Sequence, residues 1–356
     1  MGNSKINFGV IGLGWVAKNR HIPCILRNNQ VHLFGIVDQN EDRIRPFISK
    51  YPWLKSSVSD NAEINWLDEI EAVVIATDPA DHFLLAKKML LAGKNVLIEK
   101  PMTMSIDEGR ELRVIAMDQK RVCCVSHNFQ FASSVLKLKS LIKNGKLGQI
   151  LGVEVIQWSN PRRRLPVWHE ELPLGLFYDE SPHMFYLMNS LVDDEITYLS
   201  SSIVYASGKK TPANVTALYS SGNIPIRLVM NFMTSLSEWQ VVVFGSKYLG
   251  IVDIFRDILV VAPNDASHNA RNILTTTAYV TFTHLMGSLR SGLKLINKEL
   301  LYGVDIVHDK FAKGIRENLP LDGIFVDDGI KITAMQHDVI NRSNIFRIGD
   351  ENISGQ

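Results

Sequence analysis

The chain has 356 residues, which at ~100–200 residues per domain predicts two domains. It is 46% hydrophobic and 21% charged with a net charge of +1 and a pI near 7.8. That balance excludes a general nucleic-acid binder, which carries a basic stripe and a higher pI. The three cysteines, Cys24, Cys123 and Cys124, form neither a disulfide framework nor a metal-ligand spacing. Free thiols in a reducing cytoplasm and no metal are therefore expected. The start shows no basic and apolar leader pattern, and no run of apolar residues is long enough for a membrane span.

Ile6–Ile11 is an apolar run closed by glycines, the pattern of a buried strand. Trp15–Leu26 reads as a helix, Val31–Val37 as a second strand ending at Asp38, and Asp42–Lys50 as a helix. Ile70–Ala76 is a third strand, His82–Ala92 a helix, Asn95–Ile98 a strand, Asp107–Gln119 a helix and Val122–Ser126 a strand. This alternation with short links predicts a doubly wound parallel sheet, a Rossmann-type α/β domain over residues 1–128.

The rhythm changes beyond that point. A helix is predicted over Ser133–Lys143. Strands follow at Ile150–Trp158, Ile196–Tyr205, Asn214–Tyr219, Pro225–Thr234, Trp239–Phe244, Gly250–Asp253 and Leu259–Ala262. Several alternate polar with apolar residues, as a half-solvated antiparallel sheet does. Leu285–Leu300 and Gly329–Asn341 read as helices, the latter capped by Asp327 or Asp328. The polar tail from Asn344 is expected to fray. Residues 129–356 are thus expected to form an α+β domain with a large, mostly antiparallel open sheet, for substrate binding and oligomerisation.

Gly12-x-Gly14-x-x-Ala17 follows the first strand and opens a helix. The first glycine permits the turn and the second lets backbone approach a pyrophosphate. The small third residue packs helix on strand. The helix start at Trp15 and Val16 supplies N–H groups and a positive dipole end for phosphates. Asp38, ending the second strand, suits the hydroxyls of an adenosine ribose and repels a 2′-phosphate, which favours NAD. Arg43 keeps NADP open. Thr77 and Asp78 end the third strand, where ligands of such sheets sit, and the segment through His82 is expected either to touch the cofactor as well or to serve only as the turn that caps the next helix.

Glu99-Lys100-Pro101 ends a later strand on the same edge. A lysine beside a nicotinamide can hydrogen-bond a substrate oxygen as charge develops there. Asp179 and His183 are four apart, on one face of a helix. Pro182 is expected in that helix's first turn, where its missing N–H costs little. A histidine so placed can take a hydroxyl proton as hydride leaves the carbon, with Asp179 holding a neighbouring hydroxyl or orienting the base.

Together these segments resemble the Gfo/Idh/MocA family, the oxidoreductases of glucose-fructose, inositol and rhizopine metabolism. The matching stretches begin with Phe8-Gly-Val-Ile-Gly-Leu-Gly-Trp15, Thr77-Asp-Pro…His82 and Ala92-Gly-Lys-Asn-Val-Leu-Ile-Glu99-Lys100-Pro101. They continue with His127-Asn128-Phe-Gln-Phe131, Ile142…Ile150 and Asp179-x-x-x-His183. The resemblance implies NAD, with NADP as the alternative, held with help from Glu99, Lys100 and Asn128. It implies Lys100 against nicotinamide and substrate, His183 as acid/base and Asp179 on a substrate hydroxyl. It also implies hydride transfer to or from a hydroxyl or keto carbon of a sugar, cyclitol or sugar derivative. Leu174-Gly175 replaces the family's usual glycine pair, and Pro182 directly before His183 is a second departure.

Asn160-Pro-Arg-Arg163-Arg-Leu-Pro-Val-Trp168-His169 precedes the Asp/His pair. Arg163 suits a phosphate or carboxylate and Trp168 a sugar face, which together fit a nucleotide sugar or acidic sugar; an exposed basic loop or an oligomer contact fits equally. Apolar residues on the solvent face of the second sheet argue for a homodimer or homotetramer. Two rival readings stand beside the dehydrogenase: a glycosidase or epimerase that uses tightly bound NAD transiently, and a non-catalytic nucleotide sensor.

Overall fold

The computed structural model describes residues 4–60, 62–159, 167–264, 269–297, 299–317 and 321–348. Strand β1 (Ile6–Ile11) turns at Gly12 into a π-helical turn, Ala17–His21, continued by α1 (Ile22–Arg27). Then follow β2 (Val31–Asp38), α2 (Glu41–Lys50), β3 (Lys55–Val58), β4 (Ala72–Ile75), α3 (Pro79–Leu91), β5 (Asn95–Ile98), α4 (Ile106–Asp118) and β6 (Cys123–Val125). The six strands pair in parallel in the order β3-β2-β1-β4-β5-β6. Every residue of β4 and β5 is buried, because helices on both faces leave no solvated side. β3 escapes the apolar signature: its Lys-Ser-Ser-Val is exposed at the sheet edge, where charge and polarity blunt an open strand.

Next come α5 (Ser133–Lys143), β7 (Ile150–Trp158), α6 (Leu176–Asn189), β8 (Ile196–Ala206), β9 (Asn214–Ser221), β10 (Ile224–Asn231), β11 (Glu238–Gly245), β12 (Tyr248–Asp253), β13 (Ile258–Pro263) and α7 (Ala270–Ile296). The chain closes with α8 (Val304–Glu317), α9 (Val326–Arg342) and β14 (Asn344–Ile348). The second sheet runs β13-β12-β11-β7-β10-β9-β8-β14. Its pairs are antiparallel apart from β10·β7 and β14·β8. The tail expected to fray instead pairs as β14 with β8: the backbone ladder holds it, while its side chains stay exposed.

Two compact units emerge. One holds 1–128 together with 303–334, the other 129–302 together with 335–356. The sequence reading carried the second domain unbroken from 129 to 356, and residues 303–334 correct it. Phe311 of α8 packs edge-on against Phe8 of β1 at 5.5 Å, with Val307 and Ala312 fully buried beside it. Val125 of β6 donates its N–H to the carbonyl of Ile324 at 2.7 Å, so the following loop covers the open edge of the first sheet. The apolar spacing of α8 (Val304, Val307, Phe311, Ala312) was the available signal for this helix.

Candidate functional site

Gly12 and Gly14 differ in what they permit. Gly12 has φ +87°, and a Cβ there would lie 2.6 Å from the Ala76 carbonyl oxygen and 2.8 Å from the Thr77 nitrogen. The turn against the end of β4 therefore demands glycine. A Cβ on Gly14 would meet nothing nearer than the Ala76 oxygen at 3.9 Å. The protein leaves that side open, as backbone approach of a phosphate requires. Ala17 is fully buried, which matches the close helix–strand packing expected of the third position.

The open side belongs to a crevice at the carboxyl ends of β1, β2 and β4, lined among others by Gly12, Gly14, Asp38, Arg43, Thr77 and Asp78. Asp38 is buried. Its Oδ2 accepts the Leu13 N–H at 2.7 Å and its Oδ1 the Asn40 N–H at 2.8 Å, so it braces the glycine turn. A carboxylate oxygen has lone pairs beyond one hydrogen bond, which leaves capacity for ribose hydroxyls on the crevice side. Arg43, about half exposed, stands 3.5 Å from Asp38. Burial, and then the neighbouring Asp81, push the Asp78 carboxyl up. An adenine dinucleotide fits this donor set: an open glycine backbone, a helix start and a ribose-directed acid. Trp15 and Val16 lie outside the crevice lining, with Trp15 64% exposed.

A second group lies at the end of β5, outside that lining. Glu99 accepts a hydrogen bond from His21 at 2.7 Å on Oε1 and from the Lys100 N–H at 3.1 Å on Oε2. Burial pushes the Glu99 carboxyl up, but the His21 hydrogen bond and charge, aided by Lys100, outweigh it and hold the group below the usual carboxylate range. His21 meets His308 of α8 at 3.0 Å through its other ring nitrogen. The Lys100–Pro101 bond is cis. His82 is buried with Nδ1 2.7 Å from the Pro101 carbonyl and Nε2 3.1 Å from the Thr77 carbonyl. Each ring nitrogen thus faces a backbone carbonyl, and the neutral ring donates to one of the two. Asn128 closes this stretch, half-buried. The sequence reading missed His21 and His308. Their signal was faint: histidine inside a glycine-motif helix and on the apolar face of α8.

The second unit places Asp179 and His183 on α6. Pro182 sits mid-helix, which corrects its expected place in the first turn. His183 is buried in an aromatic cage, with ring centroids 5.0 Å from Phe129, 5.1 Å from Trp239 and 5.6 Å from Tyr186. The Tyr186 hydroxyl accepts the Phe129 N–H at 3.1 Å and lies 2.7 Å from His183 Nδ1. Tyr186, one helical turn after His183, was within reach of sequence spacing; Trp239, on a distant strand, was not. Trp168 is half-buried in the turn Val167–Glu171, edge-on to His169 at 6.3 Å. Arg163 lies outside the described residues.

A parallel dinucleotide-type sheet is thus followed by a large mixed sheet. Residues 6–127 match the family model "Oxidoreductase family, NAD-binding Rossmann fold", and residues 135–248 match the "GFO/IDH/MocA C-terminal domain". The chain belongs to the Gfo/Idh/MocA family, and its first unit is an NAD-binding Rossmann domain. YdgJ of Escherichia coli, an uncharacterised oxidoreductase, is 32% identical over 51% of this chain and 52% of its own. Glucose-6-phosphate 3-dehydrogenase of Bacillus subtilis is 28% identical over 46% of each. The chain spans about half the length of these curated relatives. The WlbA dehydrogenase of Bordetella pertussis, solved with NADH and UDP-GlcNAcA, shares the fold at TM-score 0.76, covering 95% of both chains at 17% identity. The 3-ketoreductase KijD10 of Actinomadura kijaniata, solved with NADP and TDP-benzene, does so at 0.75, covering 97% of this chain and all of its own at 13% identity. Among the described residues no helix is long and apolar enough to cross a membrane, and no His/Cys/Asp/Glu group could hold a metal ion.

Proposed function

We propose that this protein is an NAD(P)-dependent oxidoreductase acting on a hydroxyl or keto carbon of a sugar, cyclitol or nucleotide sugar. The observation that carries the reading is the Gly12–Gly14 turn, braced by Asp38 and open toward the crevice at the carboxyl ends of β1, β2 and β4. A bound nicotinamide would supply the hydride acceptor or donor. Lys100 hydrogen-bonds the substrate oxygen and stabilises its developing charge. His183 takes the hydroxyl proton as hydride leaves the carbon and returns it in the reverse direction. Asp179 holds a neighbouring hydroxyl. The name of one relative, glucose-6-phosphate 3-dehydrogenase, puts a 3-hydroxyl or 3-ketone first among candidate centres.

The test follows reduced-nicotinamide fluorescence with NAD and, separately, NADP, against free sugars, inositols, phosphorylated sugars and nucleotide sugars. Sustained reduction by one class establishes the reading. Lys100→Met should then abolish turnover while NAD still binds; unchanged turnover would sink this assignment. NAD retained through purification with no net reduction would favour transient redox instead.

A further inference from the structure

The 27-residue helix α7 buries none of its residues. One face rests on the second sheet. A Cβ on Gly287 would lie 2.8 Å from Ile258 of β13, and Ser291 hydrogen-bonds the carbonyl of Arg256. At 3.6 residues per turn, the opposite face carries Ala278, Phe282, Leu285, Leu289, Gly292 and Ile296. Their spacing of four and three alternates without a break, the repeat of a coiled-coil seam. Phe282, Leu285, Leu289 and Ile296 are each 55–77% exposed, as are Leu274 and Leu293 on the flanks. Gly292 faces open space, with nothing within 4 Å of a Cβ placed on it.

The helix holds no acidic residue; of its cations, Arg290 and Lys294 lie off this seam, and Arg271 lies on its face two turns before Ala278, outside the stretch Ala278–Ile296. Six half-exposed apolar side chains offer on the order of 600 Å². That reaches the top of the ~300–600 Å² largest patch of a typical monomer and approaches the ~800 Å² per partner of a standard interface.

We infer that α7 is a homotypic interface, pairing antiparallel with α7 of a second copy of this chain about a two-fold axis level with Gly287. In that register Leu285 faces the partner's Leu289, Phe282 faces the partner's Gly292, and Ile296 faces the partner's Ala278. Large meets small in each outer layer, as interdigitated packing requires. Lys294 comes level with the partner's Val280, so the cations avoid one another. A parallel pair would stack Phe282 on Phe282, leave a gap at Gly292 and bring like charges together. One surface serves both partners, as two-fold symmetry demands.

Sedimentation of the full chain tests this. The wild type should run as an even-numbered oligomer. Leu285→Glu should halve its mass with an unchanged circular-dichroism spectrum. Gly292→Phe, which meets the partner's Phe282, should halve it too, and adding Phe282→Ala should restore it. Should Leu285→Glu misfold, the Gly292 and Phe282 pair carries the test alone. A monomeric wild type, or a mass unchanged by Leu285→Glu and Gly292→Phe, overturns the interface. Loss of mass in Leu285→Glu but not in Gly292→Phe overturns the register. A monomer that binds phosphatidylserine vesicles until Leu285→Glu is introduced assigns the seam to a membrane surface instead.

Discussion

The side-chain amide of Gln336 donates a hydrogen bond of 2.8 Å to the carbonyl of Tyr178. That carbonyl is the acceptor that residue 182 would serve in an unbroken α-helix, and residue 182 is proline, with no N–H to give. Gln336 is fully buried on α9 and also donates to Ser181 at 3.0 Å. The helix that carries Asp179 and His183 thus tolerates an internal proline because a glutamine distant in sequence replaces the lost backbone donor.

Gln336→Leu should therefore leave the Tyr178 carbonyl buried and unsatisfied, at a cost of ~1–3 kcal/mol. Pro182→Ala restores the helical N–H and should recover part of that loss in the double variant. Urea unfolding of the two single variants and the double variant gives the coupling directly. Strictly additive losses would mean that the two residues do not share this acceptor.

The two motif glycines should separate folding from binding. Gly12→Ala meets backbone at 2.6 Å in a positive-φ turn and should destabilise the first unit by more than ~1 kcal/mol. Gly14→Ala has room within the protein, so its melting temperature should stay near wild type while NAD affinity falls at least ~10-fold. Calorimetric titration beside thermal unfolding reads both. Equal losses of stability at the two positions would refute the distinction.

Tyr186→Phe removes the hydroxyl that faces His183 Nδ1 without changing the cage's shape. In the proposed reaction kcat should fall by ~10–100-fold, less than the ~10²–10⁴-fold that a positioned acid/base group itself contributes. KM should barely move, and the pH–rate profile should shift because Nδ1 loses its partner. His183→Asn should lose the profile's histidine limb altogether. A Tyr186→Phe enzyme with an unaltered pH profile would show that the hydroxyl does not set the ring's protonation.

Much of this architecture was legible along the chain. The apolar runs of β1, β2, β4 and β5, each ending in glycine, acid or proline, are buried on both faces, and such strands announce themselves. Edge strands do not: β3 is Lys-Ser-Ser-Val, and β14 is exposed throughout. The front half of α7 hid behind threonines, poor helix formers, yet Thr275 and Thr283 hydrogen-bond back to carbonyls within the helix at 3.0 and 2.8 Å. For the sites, local spacing placed Gly12, Gly14 and Asp38 around one crevice and Asp179 and His183 on one helix. The partners that fix them (Gln336 for Tyr178, His308 for His21, Trp239 for His183) lie 56 to 287 positions away, and periodicity carries no information over such separations.

The last prediction concerns acid. His82, His127 and His308 are buried, and burial, the dominant cause at each, lowers their affinity for a proton, at His127 to a pKa of about 3. Neutral His82 can donate to only one of the two carbonyls that flank it, and one ring nitrogen of His308 has no partner among the described residues. Between pH 6.5 and about 3 the unfolded chain therefore binds protons that the native chain refuses. The stability from keeping these rings neutral is whole above pH 6.5 and is lost as pH falls through that window. At ~1.4 kcal/mol for each tenfold, His127 alone contributes on the order of 5 kcal/mol. Glu99, held low chiefly against its burial by His21, loses its contribution in the same direction as it protonates. Asp328 opposes them: burial raises it to about 6, so it favours the native state as pH falls from there, but over a narrower span. The urea midpoint should drop steeply below pH 6.5, and His127→Gln should flatten that slope relative to wild type. A midpoint independent of pH across this range would mean that these rings are not neutral in the native protein.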